Sequence, residues 1–249
     1  MGNNNKKYGF KYDDQHTDNY NMLVLQRFRN AGPAKENHYL TIPYRAGALP
    51  VRVDNLGKNI AIEFTITGED PEDLREKLRD LAEWLQPELD NTFRPVPKEL
   101  IFNDDNDKRW LAYLATGIEL EEKGNRAFGS MAFFAPVPYM EALETKETGA
   151  TGENTGTVEA PPFIIVTMTE SSNDLKIEYN DKMLLLDQQL ETGDVVKFDT
   201  EKRLVLVNDV DARGDLTYTS RWFNLKPGSF EITSTPAATI VVEFRERWL

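Results

Sequence analysis

The sequence predicts a mainly β protein of two domains carrying one α-helix. Three observations lead there. Residues 58–67 alternate strictly, with Ile60, Ile62, Phe64 and Ile66 on one side and Ala61, Glu63 and Thr65 on the other, the period of a strand with one buried face. Only one segment, over 71–85, has strong helical periodicity. Beyond a stretch rich in Thr, Gly and Glu, about eight short strand-like segments separated by turn residues run to the C-terminus, the pattern of an antiparallel sandwich.

The helix is read from its caps and its stripe. Asp70 suits the N-cap, Pro71 the first helical position, and Glu72 and Asp73 complement the positive end of the helix. Leu74, Leu78, Leu81 and Leu85 form the apolar stripe, and Pro87 ends the run. Further strands are expected at Glu99–Phe102, Trp110–Leu114, Gly117–Glu121 and Phe128–Ala135. Residues 1–142 therefore form a β-rich domain with one helix.

Residues 143–160 contain ETKETGATGENTGTVEA, with little to bury, and read as a linker or long surface loop. Residues 161–249 form the sandwich. Its expected strands are Phe163–Thr169, Leu175–Tyr179, Met183–Leu186, Val195–Asp199, Leu204–Val207, Tyr218–Phe223, Phe230–Thr233 and Thr239–Phe244. Asn180-Asp181, Thr192-Gly193 and Pro227-Gly228 supply turns. The last strand, ending Arg247-Trp248-Leu249, is a candidate to return to the first domain.

Composition narrows the function. The formal net charge of the 249 residues is −13, with −5 on residues 1–142 and −8 on the rest, so neither half offers phosphate a basic face. With no cysteine, disulfides, zinc–thiolate sites and thiol catalysis are excluded. No apolar run approaches the ~20 residues that span a bilayer, and Met1–Lys7 has no apolar signal region. The expectation is a soluble chain without a signal peptide.

Catalytic motifs are sparse. His16 and His38 are the only histidines, neither has an i+4 partner, and no G-x-S-x-G elbow or phosphate-cradling glycine loop is present. Asn103-Asp104-Asp105-Asn106-Asp107 begins like a calcium loop. Its sixth position is Lys108 rather than Gly and its twelfth is Leu114 rather than Glu, which favours an acidic turn. Glu119, Glu121 and Glu122 read as a solvated strand end rather than a glycosidase pair. Trp222 and Phe223 are adjacent on a predicted strand and so face opposite sides, one ring in the core and one at an edge, not one sugar platform. The sequence thus predicts no catalytic residues, no cofactor and no metal site.

Ala46-Gly47-Ala48-Leu49-Pro50-Val51 is an apolar stretch broken by Gly and Pro. A loop of this kind either folds into its own core or lies against another chain, because exposed apolar patches are disfavoured. Ala46, Leu49 and Val51 are the candidate oligomer-interface residues.

The order of features carries a resemblance. The strand IAIEFTIT runs through Gly68 into the helix ending LAEWL. There follow ELIFNDDNDKRWLAYL, FGSMAFFAP and VPY, then NTGTVEAPPFIIVTM and a close of FNLKPGSFEITSTPAATIVVEFRERWL. Over nearly its whole length the chain resembles the distal tail proteins of long, flexible-tailed phages and prophages. The resemblance implies a homo-hexameric ring formed by the N-terminal domain and a galectin-like C-terminal sandwich that points outward. It implies a structural hub, not an enzyme, at the virion tail tip, assembled in the host cytoplasm. Implied partners are the tail tube protein, the tail-associated fibre or lysin protein, and tape-measure and receptor-binding proteins, with no membrane and no sequence-specific nucleic acid. DNA would pass through the ring, and an acidic lumen would keep it from sticking. The competing reading is a carbohydrate-binding β-sandwich protein.

Overall fold

A computed structural model describes residues 9–29, 32 and 34–249. The chain divides into two compact units, one comprising the residues up to Met140 together with Leu249, the other Glu141–Trp248.

The first unit contains β1 (Phe10–Tyr12), β2 (Gln15–His16), β3 (Met22–Arg29), β4 (Lys35–Thr41), β5 (Ala48–Asn55), β6 (Lys58–Thr67), α1 (Pro71–Trp84), β7 (Lys98–Phe102), β8 (Lys108–Leu114), β9 (Glu119–Lys123) and β10 (Arg126–Ala135). Its main sheet runs β2-β1-β7-β8-β10-β6-β3, with β9 also paired to β10. The predicted alternation of β6 holds: Ile60, Ile62, Phe64 and Ile66 are buried. They sit across β10 from Phe133, Met131, Gly129 and Ala127.

The helix is capped as the sequence predicts, with the Asp70 carboxylate accepting from the backbone N–H groups of Glu72 and Asp73. Gly68 permits the sharp entry from β6. A Cβ there would lie 2.6 Å from the Leu74 nitrogen. The buried face differs from the four-leucine stripe. Leu74, Leu81, Trp84 and Leu85 are buried, whereas Leu78 is only half-buried. Successive steps of four, three and four residues around a 3.6-residue turn leave Leu78 on the flank.

Trp84 closes the core. Its ring stacks on Tyr20 at 4.7 Å and on Phe10 at 5.9 Å, and its Nε1–H donates to the Tyr12 carbonyl at 2.8 Å. Burial, helped by the charge on Asp13, pushes the Tyr12 hydroxyl up to about 12 from 10.0. A folded pKa above the unfolded one contributes stability below about pH 10 that is lost as pH rises towards about 12. Denaturant titrations across that window are expected to show the N-terminal unit weakening, and Tyr12→Phe should remove most of the dependence.

After β11 (Met140–Ala142), the second unit contains β12 (Lys146–Thr148), β13 (Thr151–Asn154), β14 (Phe163–Met168), β15 (Leu175–Tyr179), β16 (Lys182–Leu186), β17 (Val195–Asp199), β18 (Leu204–Val207), β19 (Val210–Asp211), β20 (Gly228–Glu231), β21 (Thr233–Thr235), β22 (Ala238–Phe244) and β23 (Arg247–Trp248). It is an antiparallel sandwich. One sheet runs β12-β22-β14-β17-β18-β19, and β16-β15-β21 and β13-β20 supply the rest. Ile164, Val166, Phe198, Val242 and Phe244 bury their side chains in a shared core with Ile177, Leu184, Leu186 and Phe230.

Two expectations fail here. Residues 143–160 are not merely a linker, because β12 pairs β22 and β13 pairs β20. Edge strands need backbone partners more than apolar side chains, so composition hides them. Polar groups then stitch the segment down. The buried Asn154 amide donates to the carbonyls of Leu225 and Val158 and accepts from the Gly156 N–H. The Glu246 carboxylate accepts from Lys146 Nζ, the Thr155 N–H and the Thr155 hydroxyl. Burial pushes that carboxyl up, but these hydrogen bonds outweigh it and hold it below its ordinary value. Gly156 is needed for close approach, since a Cβ would lie 2.4 Å from the Arg247 carbonyl oxygen.

The second failure is Tyr218–Phe223, which is turn and irregular chain rather than strand. Phe223 is nonetheless buried and Trp222 is partly buried against the same core. Core anchoring of two rings in a loop imitates the apolar content of a strand.

Candidate functional site: an exposed hairpin and an open sheet face

The predicted interface residues lie on one element. β4 and β5 form an antiparallel hairpin from Lys35↔Asn55 to Thr41↔Ala48, with a bulge between His38 and Tyr39. Its base is pinned where the Leu56 N–H donates to the Ala34 carbonyl. His38 Nε2 and Arg52 both reach the Asp54 carboxylate, each at 3.0 Å. At the tip, Tyr44 and Gly47 take positive φ, 63° and 88°, which lets the chain reverse.

Neither face of this hairpin is buried. Ala46 lies in the tip, and Leu49 and Val51 follow on β5, all exposed. The bulge falls at Val51 and interrupts the period-2 alternation, so Leu49, across from Leu40, and Val53, across from Asn37, lie on opposite faces. Tyr39, Leu40 and Tyr44 are also exposed, Tyr44 fully. From Tyr39 to Val51 the only formal charge is Arg45. The sequence alternative of a loop folded into its own core is therefore not what the chain adopts. An isolated two-stranded hairpin is marginal in water, and this one spends its apolar side chains on solvent.

The main sheet offers a second surface that no sequence motif marks. On the face of β6 and β10 opposite the core, Glu63 stands across from Ser130, and Thr65 from Phe128. Across β9, Ser130 meets Glu119 and Phe128 meets Glu121. Leu25, at the bulge of β3, and Leu120 help line a groove with these residues. Leu25, Phe28, Leu120 and Phe128 are all substantially exposed. For Phe28 and Phe128 the signal was available: they fall on strands whose other face already holds the core.

The remaining motifs have local partners. His16 accepts the Asp18 N–H at Nδ1 and meets Asn103 Oδ1 through Nε2. In the acidic turn, both Asp104 oxygens accept from Arg27 at 2.8 and 2.6 Å, which holds that carboxyl below its ordinary value. Lys108 bridges Asp105 and Asp107. The turn is thus clamped by cations of its own chain. Glu119, Glu121 and Glu122 lie exposed on β9.

Both units have counterparts among known proteins. Residues 16–135 match the family described as phage tail protein RIFT-related domain. Residues 155–248 match siphovirus-type tail component, C-terminal domain. The distal tail protein of Bacillus phage SPP1 is 25% identical over 255 residues, covering 98% of this chain and 97% of that one. The crystal structure of SPP1 Dit, described as a paradigm of the hub adsorption apparatus of phages infecting Gram-positive hosts, superposes with a TM-score of 0.81. That match is at 17% identity and covers 97% of this chain and 99% of that one. Fold and matched domains together define a structural component of the phage virion tail. The chain belongs to the distal tail protein family.

Proposed function

We propose that this chain is the hub of a phage tail tip or baseplate, built as a closed ring of six copies through the N-terminal unit. The ring joins the tail tube protein to the tail-associated fibre or lysin protein, and the C-terminal sandwich offers its surface to tape-measure, receptor-binding or other adsorption components. The role is structural and non-catalytic. The observation that carries this reading is the hairpin, whose exposed apolar tip calls for a covering surface. A ring requires one patch meeting a different patch of the next copy. The hairpin tip, apolar with one cation, complements the open sheet face, apolar and edged by Glu63, Glu119 and Glu121.

Leu49→Asp is expected to abolish ring mass in multi-angle light scattering while circular dichroism stays that of the wild type. A carboxylate buried without a partner costs several kcal/mol, and here it is buried only on assembly. Retained ring mass, or loss of the fold, would refute the hairpin as the interface. A wild-type chain that stays monomeric even with the tail tube protein would refute the hub.

A further inference from the structure

The geometry points to a saccharide-binding cleft on the C-terminal unit, centred on Tyr218 at the turn of the β15–β16 hairpin. The segment 217–221 is strapped along β16. The Thr217 and Arg221 N–H groups donate to the carbonyls of Leu185 and Met183 at 2.9 and 2.7 Å, and the Ser220 hydroxyl accepts from the Leu185 N–H at 2.9 Å. Phe223, buried against Tyr179 with ring centroids 5.2 Å apart, anchors the end of the segment. Held at both ends, the strap lifts the Tyr218 ring out of the surface, where it is fully exposed.

A cleft of about 590 Å³ lies beside that ring, within the ~300–1,000 Å³ range of small-ligand sites. Glu178, Asp181, Lys182, Thr219 and Arg221 contribute to its walls. Among the described residues Asp181, Lys182 and Arg221 form no ion pair, so their donors and acceptors are available. Carboxylate, guanidinium, ammonium and hydroxyl groups give directional bonds of both senses, which suits a ligand dense in hydroxyls. An aromatic ring standing clear of the surface supplies an apolar face of low conformational cost, which suits the C–H face of a pyranose. Apart from Tyr218, the apolar contribution is Met183 alone. A protein partner would need a larger apolar centre, such as the hairpin tip of the first unit has. Trp222 and Phe223, which the sequence already argued against as a sugar platform, pack on the core.

The test is saturation-transfer NMR on the full chain with maltotriose, chitotriose and galactotriose, each at up to about 10 mM, the weak end of ligand affinity. At least one trisaccharide is expected to receive saturation. Tyr218→Ala should weaken that signal about tenfold or more, a loss of about 1.4 kcal/mol, whereas Tyr218→Phe should keep it. Arg221→Ala should also weaken it, and Tyr44→Ala on the hairpin should not. Silence from all three sugars, or binding indifferent to Tyr218→Ala, would overturn the assignment. Because ring mass is read separately by light scattering, failure here is distinct from failure of the hub.

Discussion

Replacing Trp84 by alanine is expected to destabilise the N-terminal unit by about 3–5 kcal/mol, the range for deleting a buried large aromatic. The ring is 7% exposed and meets Phe10, Tyr12 and Tyr20. Stacked and edge-on contacts add to area burial. Its Nε1–H also satisfies the Tyr12 carbonyl, so truncation removes packing and a hydrogen bond together. Trp84→Phe separates the two: it keeps a ring, loses the donor, and should cost about 1–3 kcal/mol for the unmet bond. Arg79→Ala, on the exposed side of the helix, should stay within about 0.5 kcal/mol. Denaturant unfolding followed by near-ultraviolet circular dichroism checks all three. Equal costs for Trp84→Ala and Arg79→Ala would mean that the helix docks through another face.

Arg247→Ala is the counterpart in the second unit, with an expected cost of about 3–5 kcal/mol. Arg247 is 8% exposed, and its guanidinium donates to Glu141 through Nε at 2.9 Å and to Glu201 through Nη2 at 2.7 Å. Glu141 is itself nearly buried, while Glu201 reaches solvent. Removing the arginine takes from the nearly buried Glu141 carboxylate a cation that donates to it. Glu201→Ala should cost at most about 1 kcal/mol, because an exposed partner gains little from pairing. The double change Arg247→Met with Glu141→Leu should cost less than Arg247→Ala alone, since it removes both charges. If the double variant is the worse of the two, the penalty comes from displaced backbone rather than from charge. The carbonyl of Arg247 accepts from the N–H groups of Thr157 and Val158, so thermal unfolding of all three variants should be compared with that of Glu201→Ala.

Local pattern was enough for the elements whose own residues carry the signal. The strand at Lys58–Thr67 alternates because one face is buried, and α1 begins at Pro71 because Asp70 caps it. The strands of the sandwich core, such as Val195–Asp199 and Leu204–Val207, are likewise short apolar runs between turns. The stretch Ala46–Val51 was legible as apolar residues beside Gly and Pro, but the sequence left open whether it folds into its own core.

Tertiary structure decided what depends on partners distant in the chain. β12 and β13 exist through pairing with β22 and β20, about 80–100 residues away. Their Thr, Gly and Glu side chains state no preference of their own. Leu78 yielded its place in the core to Trp84 because the rings of Phe10, Tyr12 and Tyr20 come from elsewhere in the fold. The open face of Leu25, Phe28 and Phe128 exists only once β3, β6 and β10 lie side by side. Which side chains lie on the sheet face opposite the core is a property of the register. By itself the sequence determined the fold class and the single helix, both written in spacings shorter than about a dozen residues. Pairing across long loops, and the surfaces it creates, came only from the folded chain, where hydrogen-bonded neighbours replace sequence neighbours.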